Sequence, residues 1–147
     1  MQRRTFLLGS AAILLLPMPS IADTGIRATL YKNPQCSCCE GYADYLRQNG
    51  FQVDVKPTND LAEISRKAGV PTELEGCHTM FVDGYVIDGH VPVNIVRRLL
   101  TQKPAIDGIT LPGMPMGSPG MVGTKTEKFV IYAVTKDGKA PTVYATE

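Results

Sequence analysis

Asn33-Pro34-Gln35-Cys36-Ser37-Cys38-Cys39-Glu40 packs three thiols into four positions between an alternating stretch and a helical one, and its reading decides the fold. Upstream, Ile26 to Lys32 alternates apolar and polar residues, the pattern of a half-buried strand, and Asn33-Pro34 stops it with a turn. Downstream, Cys39 to Asn49 carries Tyr42, Ala43 and Leu46 on one side at helical spacing, with Gly50 as a C-terminal stop. The cysteines therefore lie where a strand hands over to a helix. Free N–H groups and the helix dipole stabilise a thiolate there. Thiolate is the form that attacks disulfides and also the form that binds metal.

Phe51 to Lys56 alternates again and predicts a second strand, parallel to the first because a helix separates them. Asn59 or Asp60 is placed to cap a second helix, with Glu63 completing a capping-box pattern and Leu61, Ile64 and Ala68 forming the buried stripe before Gly69. His78 to Val82 and Tyr85 to Val91 flank Asp83-Gly84, a two-residue hairpin signal. Pro92 suits the first turn of a third helix with Val93, Val96, Leu99 and Leu100 on its apolar face. Lys103 to Thr126 is rich in Gly and Pro, with Met114, Met116 and Met121 at its centre, and reads as a long loop. Glu127 to Thr135 and Thr142 to Thr146, about Asp137-Gly138, predict a closing hairpin.

The order βαβαββα, with Cys36 and Cys39 forming a C-x-x-C at the first helix, is the minimal thioredoxin-like α/β plan. Here it is followed by the Gly/Pro/Met-rich loop and the C-terminal β-hairpin. Thioredoxins place a cis-proline just before the third strand. In this chain Pro71 lies upstream, and Gly76-Cys77-His78 occupies that approach. The plan therefore predicts that Cys77, the fourth and last cysteine, faces the other three.

With 147 residues, 44% of them hydrophobic and 20% charged, the chain has the composition of an ordinary globular domain with one core. A formal charge of +1 gives no electrostatic reason to expect nucleic acid or an anionic membrane as partner. Arg3-Arg4, the apolar run Phe6 to Leu16 and the small-residue site Ser20-Ile21-Ala22 predict a signal peptide over residues 1–22 and a single domain over 23–147. The alternative, a membrane anchor, fails on length, because the run is shorter than the roughly 18 residues a spanning helix needs. Arg3-Arg4-Thr5-Phe6-Leu7 is similar to a twin-arginine export signal, although Gln2 and Leu8 depart from that pattern. The expected location is the periplasm, with no membrane contact after cleavage near Ala22/Asp23.

In an exported chain, four cysteines normally read as two disulfides. Here a bridge between neighbours Cys38 and Cys39 would be strained, and three crowded thiols leave awkward partners for simple stapling. A mononuclear zinc site wants pairs separated by two to four residues, and Cys36-Ser37-Cys38-Cys39 is tighter than that. No familiar ferredoxin spacing supports an iron-sulfur cluster. Cu(I) tolerates low coordination numbers and bridging thiolates, and an exported location is where copper is handled, so a copper-thiolate cluster of several ions fits better. His78, His90, Met114, Met116 and Met121 are accessory candidates. The histidines also fit as hydrogen-bonding groups at element boundaries, and the methionines as apolar filler. Tyr31 and Tyr42 read as rim and core. The runner-up is a thiol-disulfide oxidoreductase that uses Cys36 and Cys39 alone.

Four motifs in order, Tyr31 to Cys39, Gly76-Cys77-His78-Thr79, Gly89-His90-Val91-Pro92 and Pro112 to Met121, resemble the periplasmic copper-resistance family known as CopG or PcoG. The resemblance spans essentially the whole chain after the leader. It implies a thioredoxin-like fold and a cysteine-bridged copper cluster held by Cys36, Cys38, Cys39 and Cys77. It also implies a role in copper redox or detoxification outside the cytoplasm. The expected partners are copper ions and other periplasmic copper-handling proteins, and a passive carrier that hands copper to such a protein is a third reading.

Overall fold

The computed structural model describes residues 25–147; the expected leader lies outside the described residues. Seven strands and three helices follow in the order β1 (Ile26–Lys32), α1 (Ser37–Gln48), β2 (Phe51–Pro57), α2 (Leu61–Ala68), β3 (His78–Val82), β4 (Tyr85–Asp88), α3 (Val93–Gln102), β5 (Gly108–Thr110), β6 (Val130–Val134) and β7 (Val143–Thr146). A short 3-10 turn, Thr72–Leu74, precedes β3. All strands join one sheet in the order β2-β1-β3-β4-β5-β6-β7. β1 runs parallel to β2, as the intervening helix requires, and antiparallel to β3, with Lys32 opposite His78. This is the thioredoxin-like α/β arrangement, extended on one side by three further strands.

Period-two alternation sorts the side chains of the sheet. Ala28 and Leu30 on β1, with His78 and Met80 on β3, face α1 and α3 and build the main core with Tyr42, Leu46, Val96 and Leu99. Full burial of a leucine of this kind contributes roughly 1.5–3 kcal/mol. On the other face, α2 lays Ser65 against Thr79, their hydroxyls 2.6 Å apart, and Ala68, Val70, Val86 and Val134 form a smaller apolar cluster. The helices α1 and α3 are tied by two tyrosines. Tyr42 donates its hydroxyl to the Val91 carbonyl at 2.8 Å, and Tyr45 accepts the Val93 N–H at 3.0 Å.

Some boundaries differ from the sequence reading. Helix α1 begins at Ser37 rather than Cys39, because Asn33 closes the turn early: its carbonyl accepts the Cys36 N–H at 3.0 Å and its side chain the Gln35 N–H at 3.1 Å. Cys36 thereby becomes the N-cap residue. Strand β4 stops at Asp88, short of the expected Val91, because Gly89 turns the chain with φ +73°. Asp60 occupies the N-cap of α2 without a side-chain cap bond, and Glu63 pairs with Lys67 at 2.6 Å instead of reaching back. β5 lies inside the stretch read as loop. It pairs parallel with β4 and antiparallel with β6, which brings the closing hairpin into the main sheet.

Candidate metal centre

Two pieces of backbone converge on the site: the first turn of α1 and the chain just ahead of β3. Lys32 at the end of β1 is buried beneath the cysteine turn. Its ammonium donates to the carbonyls of Asn33 at 3.2 Å and Pro34 at 3.4 Å and pairs with the half-exposed Glu40 at 3.2 Å. That fixes the turn from below and leaves Cys36 at the N-cap, with Cys38 and Cys39 in the first turn, where the dipole favours negative charge.

The expected convergence of four cysteines is present, with all four sulfurs within 4.8 Å of one another. Cys36 and Cys39 are joined as a disulfide, while Cys38 and Cys77 are free thiols. Cys38 Sγ lies 3.3 Å from Cys36 Sγ and 3.9 Å from Cys77 Sγ, and Cys39 Sγ lies 3.6 Å from Cys77 Sγ. Among the described residues there is no cis peptide bond, and Cys77 stands beside the C-x-x-C in the approach to β3.

His90 lies on the far side of Cys77, with Nε2 2.7 Å from Cys77 Sγ. Its Nδ1 contacts the Pro119 carbonyl, which can only accept, so Nδ1 carries the proton and Nε2 presents a lone pair to the sulfur. His78 is fully buried against the rings of Tyr42 and His90, with centroid distances of 4.6 and 5.0 Å. Its Nδ1 is 3.5 Å from Cys77 Sγ, and its Nε2 is buried without a hydrogen-bond partner. Cys77, His78 and His90 thus form a second group of donors within 4.8 Å of one another, sharing Cys77 with the first.

Burial, followed by the nearby Cys38, pushes the Cys77 thiol up. Burial lowers His90, partly offset by its bond to Pro119, and burial followed by the charge of His90 holds His78 well below its usual range. All three groups are therefore neutral at physiological pH, and a metal ion entering between them would displace the thiol proton. The set fits a soft cation well, with a reducible disulfide, two thiols, an imidazole lone pair and an unpartnered buried ring nitrogen.

The loop after β5 covers the centre. Gly113 pairs with Gly76 in a parallel bridge and donates its N–H to the Glu75 carbonyl at 3.1 Å. The next residue, Met114, brings Sδ to 4.0 Å from Cys38 Sγ. Further along, the backbone of Gly120 crosses α1: a Cβ at Gly41 would stand 3.0 Å from the Gly120 carbonyl oxygen, and one at Gly120 would stand 2.5 Å from the Tyr42 nitrogen. Met116 points elsewhere, beside Gly123 and into a groove shared with Pro115, Phe129 and Tyr132. Met121 is half-buried, and its backbone N–H donates to Ser118. Of the three loop methionines, the structure brings Met114 to the sulfurs.

Lys32, Asp88, the Pro119 carbonyl and the Gly41–Gly120 crossing escaped the sequence reading. Asp88 left a signal, as an acid closing the apolar run Val86-Ile87.

The sequence pattern of a family described as a protein of unknown function, DUF411, matches residues 74–121, which hold Cys77, His78, His90 and the loop methionines. Two solved structures, described as copper resistance protein CopG in forms 2 and 1, superpose with TM-scores of 0.76 and 0.75. Each is 30% identical and covers 84% of this chain and 98% of its own. No curated protein matches the chain.

Proposed function

The chain belongs to the CopG family of copper resistance proteins, and from that premise we propose that it holds Cu(I) on Cys36, Cys38, Cys39 and Cys77 as a cluster of several ions. The observation that carries this reading is the meeting of four sulfurs within 4.8 Å, three from one helix turn and one from the approach to β3. Neighbouring Cys38 and Cys39 cannot easily aim at one ion, but they can bridge different ions, and Cu(I) accepts bridging thiolates. Cys36 and Cys39 become available as thiolates once an external dithiol opens their disulfide by exchange and is itself oxidised to a disulfide. His90 and Met114, both within reach of the sulfurs, are the accessory donors this reading uses. The site of action is the periplasm, reached through a leader over residues 1–22. No described helix is long and apolar enough to cross a membrane.

Metal analysis of protein isolated from the periplasm of copper-fed cells tests the reading. Copper in more than one equivalent is expected; zinc in its place, or copper at background level, would sink it. Cys77→Ser should lower the copper content as strongly as Cys36→Ser.

A second reading is favoured by the disulfide itself. Cys36 and Cys39 are paired as in a thiol-disulfide oxidoreductase, and the thiol of Cys77 lies 3.6 Å from Cys39. Metal-free protein that reduces insulin, with Cys36→Ser inactive, would support exchange chemistry in place of copper binding.

A further inference from the structure

Asp88 closes β4 with its side chain fully buried, in a place where ionisation is costly and a neutral side chain would pack more cheaply. Its two oxygens are both used. Oδ1 accepts the Gly76 N–H in a short contact, and Oδ2 accepts the Thr79 hydroxyl at 2.8 Å. The Thr79 hydroxyl also lies 2.6 Å from that of Ser65, which links this corner of the sheet to α2. Thr110 on β5 donates to the Leu74 carbonyl at 2.7 Å and steadies the turn ahead of Gly76.

These contacts straddle the dipeptide Cys77-His78. Gly76 is held before it and Thr79 after it by one carboxylate, while Gly89, the residue after Asp88, donates its N–H to the His78 carbonyl at 3.0 Å. The chain approaches closely here as well, since a Cβ at Gly76 would stand 2.4 Å from the Gly89 Cα. The Cys77 sulfur has the other cysteines and the two histidines as neighbours, and its main chain is placed by these flanking bonds. We propose that Asp88 is the positioning residue for Cys77: it clamps Gly76 and Thr79 and so sets the distance between Cys77 Sγ and the cysteines of α1. The effect on copper rests on the function proposed above; the placement of Cys77 does not.

The first test is copper-free. In a Cys36→Ser, Cys39→Ser background only Cys38 and Cys77 remain, 3.9 Å apart, and dibromobimane becomes strongly fluorescent when it bridges two thiols. Asp88→Leu should slow bridging about tenfold, the scale on which groups one bond removed from a ligand act. Asp88→Asn should stay near the parent rate, because its amide oxygen still accepts the Gly76 N–H and its NH2 group donates to the Thr79 hydroxyl oxygen. A residue that only stabilises the fold would lower the melting temperature without changing bridging well below the melt, so parental bridging in a folded Asp88→Leu overturns the proposal. If Asp88→Leu does not fold, Thr79→Val decides, since it removes one of the two clamp bonds and should also slow bridging; a parental rate there overturns the proposal equally.

The second test is Cu(I) competition against a coloured chelator in the four-cysteine protein, where Asp88→Leu, or Thr79→Val in its place, should weaken binding about tenfold. Slowed bridging in a protein that never takes copper leaves the clamp standing and removes the copper reading. Copper binding with unchanged bridging removes the clamp and keeps the copper.

Discussion

Cys77 Sγ and His90 Nε2 stand 2.7 Å apart, with the far side of the imidazole fixed by the Pro119 carbonyl. The ring is thus held in one tautomer and aimed at one sulfur. In His90→Phe an aromatic ring is kept but the lone pair is lost, and Cu(I) affinity should fall about tenfold in chelator competition. Because the resting thiol is protonated, copper loading should release protons to an unbuffered solution, and apparent affinity should tighten as pH rises. Proton release that is the same in Cys77→Ser would place the titrating group elsewhere.

The loop methionines should separate cleanly. Met114→Leu removes the thioether 4.0 Å from Cys38 and should speed copper loss to a chelator, whereas Met116→Leu, on a residue that packs beside Gly123, should leave it unchanged. Stopped-flow transfer kinetics on the two variants measure this directly, and equal effects would mean that the loop binds copper as a whole or not at all.

Burial pushes the Asp88 carboxyl from 3.8 up to about 6, and the Gly76 N–H and the Thr79 hydroxyl work against that rise. Between these values the folded protein keeps a proton that the unfolded chain has released, so this group's contribution to stability is full below about pH 4 and is lost as pH rises through about 6. The loss amounts to about 3 kcal/mol at most. Asp88→Asn lacks this titration. Urea melts of copper-free protein at about pH 4 and about pH 7 should therefore show the variant gaining on the parent as pH rises. A constant difference would mean that the carboxyl ionises freely in the fold.

Two glycines with nearly equal backbone angles should behave differently. Gly50 has φ +84° and open space where a Cβ would stand, so Gly50→Ala should cost about 1–2 kcal/mol of backbone strain. Gly120 has φ +81° and the Tyr42 nitrogen 2.5 Å from that point, so Gly120→Ala adds roughly 1–3 kcal/mol of overpacking or lifts the loop from α1. Thermal melts give the first difference, and hydrogen exchange across residues 112–121 gives the second.

The thioredoxin-like core was legible because each of its parts writes a strong local pattern: alternation in Ile26–Lys32, the stop at Asn33-Pro34, and Asp83-Gly84 between two apolar runs. The convergence of Cys77 on the other cysteines followed from topology, once β3 was placed beside β1. β5 was hidden because three residues are too few to show a period and it sits among prolines and glycines, where its pairing is set by β4 and β6 alone. The roles of Asp88 and Lys32 were hidden for another reason. Lys32 looks like an ordinary surface charge in sequence and Asp88 shows only as an acid closing an apolar run; burial against Asn33 in one case and Gly76 in the other gives them work. The disulfide between Cys36 and Cys39 was one of several pairings the sequence left open.

The bridge between Gly113 and Gly76 bears on what can reach the sulfurs. Main-chain bonds just ahead of β3 are what an extended polypeptide would need if it were to dock by strand addition beside the cysteines. Here the protein's own loop already makes them, and Met114 follows directly over Cys38. The loop thus takes the place beside Gly76 that such a strand would use, and the same segment sets a thioether 4.0 Å from the Cys38 sulfur.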